Sequence, residues 1–116
     1  MTFQSEEKNN IIIITVNLKR ATTTVAEKFK LDFLNKIKNE HKKYLIDLSQ
    51  CEYMDSSFLG SIIFIYKKVS EFDGELKLVA PHQDIRILLE LTSVNKFVDI
   101  YETKKDALLS FRKKVS

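Results

Sequence analysis

The stretch YLIDLSQCEYMDSSFLGSIIFIYKKV, residues 44–69, decides how this chain folds. It opens with a short apolar run at 44–48, which is typical of a buried strand. A polar, turn-prone segment follows, and from Leu59 onward apolar residues recur at steps of three and four, which predicts a helix. The motif Asp55-Ser56-Ser57 stands between the two patterns. This stretch therefore predicts a strand that leads through a turn into a helix whose first turn holds a serine pair.

The same alternation of strand and helix patterns extends along the rest of the chain. Further strands are predicted at 11–18, 75–80 and 97–101, and a shorter strand around Phe3, joined to the next by the polar residues 5–10. Further helices are predicted after the threonines at 22–24, which offer N-cap hydroxyls, around residues 85–92, and from Thr103, where Asp106 completes a capping box. This order predicts an α/β fold: a mixed, mostly parallel sheet of about four to five strands with four helices.

Two of these helices have predicted buried faces that the structure can test. In the first, apolar residues at helical spacing predict a core-facing stripe of Ala26, Phe29, Phe33 and Ile37. In the last, the predicted buried side consists of Ala107, Leu108, Phe111 and Val115.

Length, charge and cysteine content exclude several classes of protein. A chain of 116 residues has room for one domain, which we place at 1–116. Nineteen basic against sixteen acidic residues give a net charge of +3, which is too even to predict direct nucleic acid binding. The apolar run at 11–14 is too short for a signal peptide or a membrane span, so we expect a cytoplasmic protein without membrane association. The single Cys51 has no companion for a disulfide or a metal site, and no cofactor is expected.

The Asp55-Ser56-Ser57 motif has two interpretations. Asp and Ser are preferred at helix N-caps, so capping alone accounts for these residue types. The functional interpretation is a phosphoacceptor or anion-binding hydroxyl, because free N–H groups and the positive end of the helix dipole meet there. A catalytic serine is not expected, since it would need a base and an oxyanion hole. The only histidines, His41 and His82, are not placed to serve it, and we predict that the chain is not an enzyme.

Two further polar residues have structural interpretations. Asp47 ends an apolar strand and is predicted to bond backbone amides. Cys51 has no basic neighbour that would activate its thiol, so it is predicted to be packed rather than reactive.

Several segments resemble a known family. YLIDLS at 44–49 and YMDSSFLG at 53–60 are similar to the STAS domain of bacterial anti-sigma factor antagonists. GELKLV at 74–79 and ILLELT at 87–92 look like the next strand and helix of that family, and 97–109 resembles its closing strand and helix. The resemblance implies the STAS fold and a regulatory binding protein.

The resemblance also implies a mechanism. The unphosphorylated antagonist would bind an anti-sigma factor, itself a GHKL-type serine kinase, and so release a sigma factor. The kinase would phosphorylate the serine after the Asp, which is Ser56, with Ser57 as the second choice, and a PP2C-type phosphatase would restore binding. The residues expected to contact the partner are Asp55, Ser57, Phe58 and Leu59. Phe58 replaces the usual Gly of the family and is predicted to be an aromatic anchor facing the partner.

Two alternatives stay open at this point. One is a STAS subunit that is not phosphorylated and serves as a scaffold in a stress-sensing complex or a lipid-transport ATPase, for which Phe58 in place of Gly is the supporting feature. The other is a module that binds a small molecule or nucleotide at the helix N-terminus. In solution we expect a monomer or a weak dimer.

Overall fold

Short strands and helices alternate along the chain in this computed structural model, which describes residues 2–37 and 42–112. The strands are β1 (Phe3–Lys8), β2 (Ile11–Val16), β3 (Arg20–Ala21), β4 (Lys43–Asp47), β5 (Tyr53–Met54), β6 (Glu75–Val79) and β7 (Asp99–Tyr101). The helices are α1 (Thr23–Leu34), α2 (Ser56–Ser70), α3 (Gln83–Leu91) and α4 (Lys104–Arg112), with a 3₁₀ turn at Val94–Lys96. No helix within the described ranges is long and apolar enough to cross a membrane.

Five of the strands form one sheet in the order β1-β2-β4-β6-β7. The pair β1–β2 is antiparallel, and β2–β4, β4–β6 and β6–β7 are parallel. The predicted α/β fold, with a mostly parallel sheet of four to five strands and four helices, is therefore confirmed. The helical connections between parallel strands explain why the patterns alternate in the sequence.

The hairpin at the N-terminus is longer than predicted. Residues 5–8, predicted to be a linker, continue β1, and each pairs with a residue of β2. The turn consists of Asn9 and Asn10 alone, both with positive φ, as two-residue hairpin turns require. The hydrophobic pattern did not indicate this extension, because β1 is an edge strand whose side chains are exposed after Phe3.

The two faces of the sheet are covered unequally. Helices α1, α2 and α3 pack on one face, where the larger core contains residues such as Phe29, Ile46 and Ile62. Helix α4 packs on the other face, over a small cluster of Ile11, Ile13, Leu45, Val79, Ala107 and Phe111. Side chains of successive strand residues point to opposite faces, so each central strand contributes to both clusters.

Several predicted boundaries shift. Helix α1 buries Ala26, Phe29 and Phe33 as predicted but ends at Leu34, so Ile37 packs from the following segment. In α4, Ala107 and Phe111 are buried, whereas Val115 lies outside the described residues. The strand predicted at 97–101 is shorter, because residues 94–96 form a 3₁₀ turn before it.

A buried lysine that the sequence did not reveal lies between the sheet and α4. Lys77, on β6, is 3% exposed, and its ammonium donates a hydrogen bond of 2.7 Å to Ser110 Oγ. The same ammonium lies 4.6 Å from the centre of the Phe111 ring and 3.9 Å from a carboxylate oxygen of Asp99. Hydrogen bonding and cation–π contact together compensate for the loss of water around this charge.

Candidate functional site

The chain that leads to the serine pair is fixed first at the end of β4. Asp47 Oδ1 accepts a hydrogen bond of 2.9 Å from the backbone N–H of Ser49, and the Ser49 hydroxyl bonds to the same oxygen. The backbone N–H of Leu48 bonds to the carbonyl of Val79 on β6. The predicted structural role of Asp47 is thus confirmed: its carboxylate turns the chain as it leaves the sheet.

A second, two-stranded sheet then carries the chain to α2. Strands β3 and β5 pair in parallel, with Arg20 opposite Tyr53 and Ala21 opposite Met54. The backbone N–H of Asp55 donates to the carbonyl of Ala21 at 3.1 Å. Strands of two residues are too short to produce a periodic pattern, so this sheet was not predicted. Its consequence is that the N-termini of α1 and α2 lie side by side.

Cys51 lies beneath this small sheet. It is fully buried, and its thiol donates to the carbonyl of Tyr53 at 3.2 Å. Burial raises the pKa of the thiol, because the charged thiolate would lose its hydration. The prediction that Cys51 is packed in the core is therefore confirmed.

The carboxylate of Asp55 caps two helices at once. Its Oδ1 accepts from the backbone N–H of Phe58 at 3.0 Å, which is the N-cap bond of α2. Its Oδ2 accepts from the backbone N–H of Thr23 at 2.8 Å and from the Thr23 hydroxyl at 3.0 Å. The expectation that the threonine hydroxyls cap α1 was wrong, because the N-cap Thr22 makes no side-chain cap bond and Asp55 takes that role from a distant part of the chain.

These bonds affect the ionisation of Asp55. The hydrogen bond from the Phe58 N–H is the main reason that the pKa of this carboxyl is lowered, and the bonds from Thr23 act in the same direction. Loss of hydration raises the pKa and is smaller than the effect of the Phe58 bond but larger than that of either Thr23 bond, so the net shift is downward. N–H donors stabilise the charged form, so Asp55 is an anion at neutral pH.

The two serines differ in their surroundings. Both are exposed, and Ser56 is the first residue of α2. Ser57 Oγ lies 2.9 Å from Thr23 Oγ1, so the Ser57 hydroxyl is hydrogen-bonded to the residue that also bonds Asp55. The Ser56 hydroxyl makes no hydrogen bond to any other described residue. Of the two hydroxyls, the one at Ser56 is the freer to react or to meet a partner.

Phe58 and Leu59 do not lie on the surface, which corrects the prediction that both contact a partner. Phe58 is 0% exposed and Leu59 is 5% exposed. The Phe58 ring stacks on Phe29 of α1, with 4.7 Å between ring centres and 25° between planes. Phe58 therefore belongs to the core between α1 and α2 and is not an exposed anchor in this arrangement.

Two exposed features beside the motif were missed. The Arg20 guanidinium lies 4.2 Å from the centre of the Tyr53 ring, which is 43% exposed. This pair sits on the β3–β5 sheet that immediately precedes the serines. Thr23 is the other, since it touches both Asp55 and Ser57. Spacing gave no signal for either, because Arg20 and Thr23 lie more than 30 residues before Tyr53 and Asp55 in sequence.

The site has no arrangement for nucleophilic catalysis among the described residues. His82 is the N-cap residue of α3 and bonds to neither serine, and His41 lies outside the described ranges. What the site offers is an exposed hydroxyl at a helix N-terminus, beside a fixed negative charge.

The chain is similar in sequence and in fold to several known proteins. The STAS domain family matches residues 2–107. A candidate anti-sigma factor antagonist from Thermotoga maritima is 37% identical over 83 residues, which cover 72% of this chain and 71% of that protein. The crystal structure of a candidate anti-sigma factor antagonist from the same organism superposes with a TM-score of 0.87 at 30% identity, covering 95% of this chain and 94% of that one. The phosphorylated form of the Bacillus cell fate determinant SpoIIAA shares the fold, with a TM-score of 0.72 at 15% identity and coverage of 94% and 98%.

Proposed function

The chain belongs to the STAS domain family, and on this premise we propose that it is an anti-sigma factor antagonist switched by phosphorylation of Ser56. In its unphosphorylated form it binds an anti-sigma factor that is also a GHKL-type serine kinase. That kinase transfers the γ-phosphoryl group of ATP to Ser56 Oγ, and the partner is released. A PP2C-type phosphatase hydrolyses the phosphate and restores binding. The cycle takes place in the cytoplasm and requires no catalysis by this chain.

The exposed, unbonded hydroxyl of Ser56 carries this proposal. A kinase needs a hydroxyl that can enter its active site and attack phosphorus without first breaking bonds. Ser56 meets this condition at the first position of α2, whereas the Ser57 hydroxyl is bonded to Thr23. Ser57 is therefore the weaker acceptor, and we assign it to the partner-contacting surface together with Asp55.

The surroundings of Ser56 suit a charge switch. A phosphate adds about −1.5 to −2 charges at pH 7. Helix N-termini attract such charge, but the Asp55 carboxylate already occupies the N–H groups of Phe58 and Thr23. Part of the phosphate charge therefore stays uncompensated at the surface. There it repels an acidic partner, and contact with an apolar partner would remove its hydration. The phosphorylated form of SpoIIAA supports the idea that this fold accepts a phosphate.

The scaffold alternative rested on Phe58 in place of Gly. The Phe58 ring lies against Phe29 in the core, so it does not alter the exposed surface around Ser56. With that support removed, we propose the switch alone.

The test uses the purified chain, its cognate kinase and ATP. We expect one phosphate per chain on Ser56, read by mass spectrometry of peptides. Ser56→Asp is expected to weaken kinase binding by about tenfold or more, because it places a charge where the phosphate would be. Ser56→Ala should bind like the wild type.

Ser57→Ala is the matched control, since it removes the neighbouring hydroxyl and leaves Ser56 in place. It should still accept one phosphate. Phosphate found on Ser57, or normal binding by Ser56→Asp, would refute the proposal.

A further inference from the structure

A groove of about 440 Å³ opens on the α4 side of the sheet. It lies at the ends where β2 and β4 begin, since Ile11 and Lys43 line it. The serine pair follows the opposite end of β4, after the chain has left the sheet. The groove is therefore separate from the Ser56 site, and an argument about one does not depend on the other.

The groove exists because α4 covers its face of the sheet incompletely. This helix has nine residues and, in the described ranges, no other helix packs on that face. A helix of nine residues is about 14 Å long, which cannot cover five strands spaced about 4.8 Å apart. Leu108 stays partly exposed and Leu109 is 43% exposed in this groove, whereas Ile11 and Phe111 beneath them are buried.

The lining divides into an apolar floor and a basic rim. The floor is formed by Ile11, Leu108, Leu109 and Phe111. The rim carries Lys8, Lys43, Lys104 and Lys105, together with Asn9. None of the described lining residues is acidic. Two acids lie beside the rim: Glu6 pairs with Lys104 at 3.5 Å, and Glu75 lies opposite Lys43 in the strand register.

We propose that this groove binds an anionic amphiphile, specifically a free aliphatic carboxylate of medium to long chain. The alkyl chain would lie on the floor, where burial of apolar surface is favourable. The carboxylate would be held by the lysine rim, since lysine stems can lie along apolar surface while their ammonium groups meet an anion. The volume falls within the range of about 300–1,000 Å³ that is usual for small-molecule sites.

The apolar floor and the lysine rim together favour an aliphatic carboxylate over other kinds of ligand. An inorganic anion or a nucleotide phosphate would leave the exposed parts of Leu108 and Leu109 uncovered. A neutral hydrocarbon would leave Lys8, Lys43 and Lys105 without an opposite charge, since among the described residues only Lys104 of the rim pairs with an acid, Glu6. An acidic peptide would meet the lysines, but its polar backbone groups would lie against the apolar side chains of Leu108 and Leu109.

The first experiment measures binding of dodecanoate to the whole chain by calorimetry, below its micelle concentration. We expect one site per chain and chemical-shift changes centred on the amides of Ile11, Lys43 and Leu108. Dodecyltrimethylammonium has the same tail with the opposite charge, and acetate has the head without the tail. Both are expected to bind about tenfold more weakly or not at all.

The second experiment changes the rim without disturbing the core. Lys8→Glu with Lys105→Glu should weaken dodecanoate binding by about tenfold or more. Both residues are exposed, and an acidic residue in the first turn of α4 suits the helix dipole, so this variant should fold. Lys96→Glu, an exposed lysine outside the groove, is the control and should bind dodecanoate as the wild type does.

Three results would overturn the proposal. One is the absence of dodecanoate binding to the wild type. Another is equal binding of dodecanoate by the double variant and the Lys96→Glu control. The third is binding only to phosphatidylglycerol vesicles or to a poly-glutamate peptide, which would make the rim a surface for a membrane or an acidic protein. Because the variants leave Ser56 unchanged, a failure here does not affect the phosphorylation switch.

Discussion

Replacement of Phe58 by alanine should destabilise this protein severely. The side chain is fully buried between α1 and α2, and its ring stacks on Phe29 with 4.7 Å between centres. Truncation of a buried Phe to Ala typically costs about 3–5 kcal/mol, through lost burial and the cavity that remains. Native domains have a free energy of unfolding of about 5–15 kcal/mol. Phe58→Ala is therefore expected to remove about a fifth or more of the free energy of unfolding.

The stacked pair allows part of this cost to be measured separately. An aromatic pair in this geometry contributes about 0.5–1.5 kcal/mol beyond the burial of its area. A double-mutant cycle of Phe58→Leu and Phe29→Leu should therefore give a coupling energy of that size. Leucine keeps most of the buried volume, so both single variants should fold.

Urea unfolding followed by circular dichroism gives the free energies. With a slope of about 2 kcal/mol per molar urea, the midpoint of Phe58→Ala should fall by roughly 2 M. Phe64→Ala is the matched control on the same helix. Phe64 is 36% exposed and mainly meets the Lys30 ammonium at 4.7 Å, so its loss should cost about 1 kcal/mol or less.

If Phe58→Ala and Phe64→Ala lowered the free energy of unfolding equally, with the urea slope unchanged, the placement of Phe58 in the core would be refuted. In that case Phe58 would return to being a candidate partner contact. Once folded, Phe58→Leu should bind the partner kinase as tightly as the wild type. A loss of that binding at unchanged stability would also contradict the reasoning.

Two further predictions concern the backbone and the double cap. Gly60→Ala should raise the free energy of unfolding by about 0.5–1 kcal/mol, because a Cβ at this exposed helix position meets nothing within 4 Å. Gly74→Ala should lower it by about 1–3 kcal/mol, because its Cβ would lie 2.7 Å from Val69 Cγ1. Thermal unfolding of the two variants compares these effects, and a stabilised Gly74→Ala would contradict the prediction. The lowered pKa of Asp55 means that this residue stabilises the fold above the ordinary carboxyl value of 3.8, and that this contribution is lost as the pH falls through the lowered value. Asp55→Asn should therefore lose less stability than the wild type between about pH 6 and pH 2, and an identical acid profile would contradict this.

Much of the fold could be predicted from the sequence because the central elements bury apolar residues in regular patterns. Strands β2, β4 and β6 are short apolar runs, and α1 and α2 repeat apolar residues at helical spacing. Edge strand β1 was predicted only around Phe3, and the β3–β5 pair was not predicted, since their residues are mostly exposed or too few to form a pattern. A hydrophobic pattern in the sequence reflects which side chains are buried, so segments that bury few side chains show only a weak pattern.

The candidate site was predicted in part. The place of Asp55 and the serines in the first turn of α2 follows from local preferences, and the structure agrees. The direction of Phe58 does not follow from them, because a side chain near a helix N-terminus can face the core or the solvent. The ring of Phe29, 29 positions earlier in the sequence, decides which. The prediction that Phe58 is an exposed aromatic anchor was wrong for that reason.

The sequence by itself determined that Asp55 caps α2, because an N-cap bond joins residues three positions apart and needs only the local backbone. Only the tertiary structure decided that the same carboxylate also caps α1 through Thr23, 32 residues away. The burial of Lys77 beside Ser110, 33 residues apart, and the lysine-rimmed groove under α4 were decided in the same way. Local bonds are set by neighbours along the chain, whereas contacts between distant segments depend on how the packed elements meet.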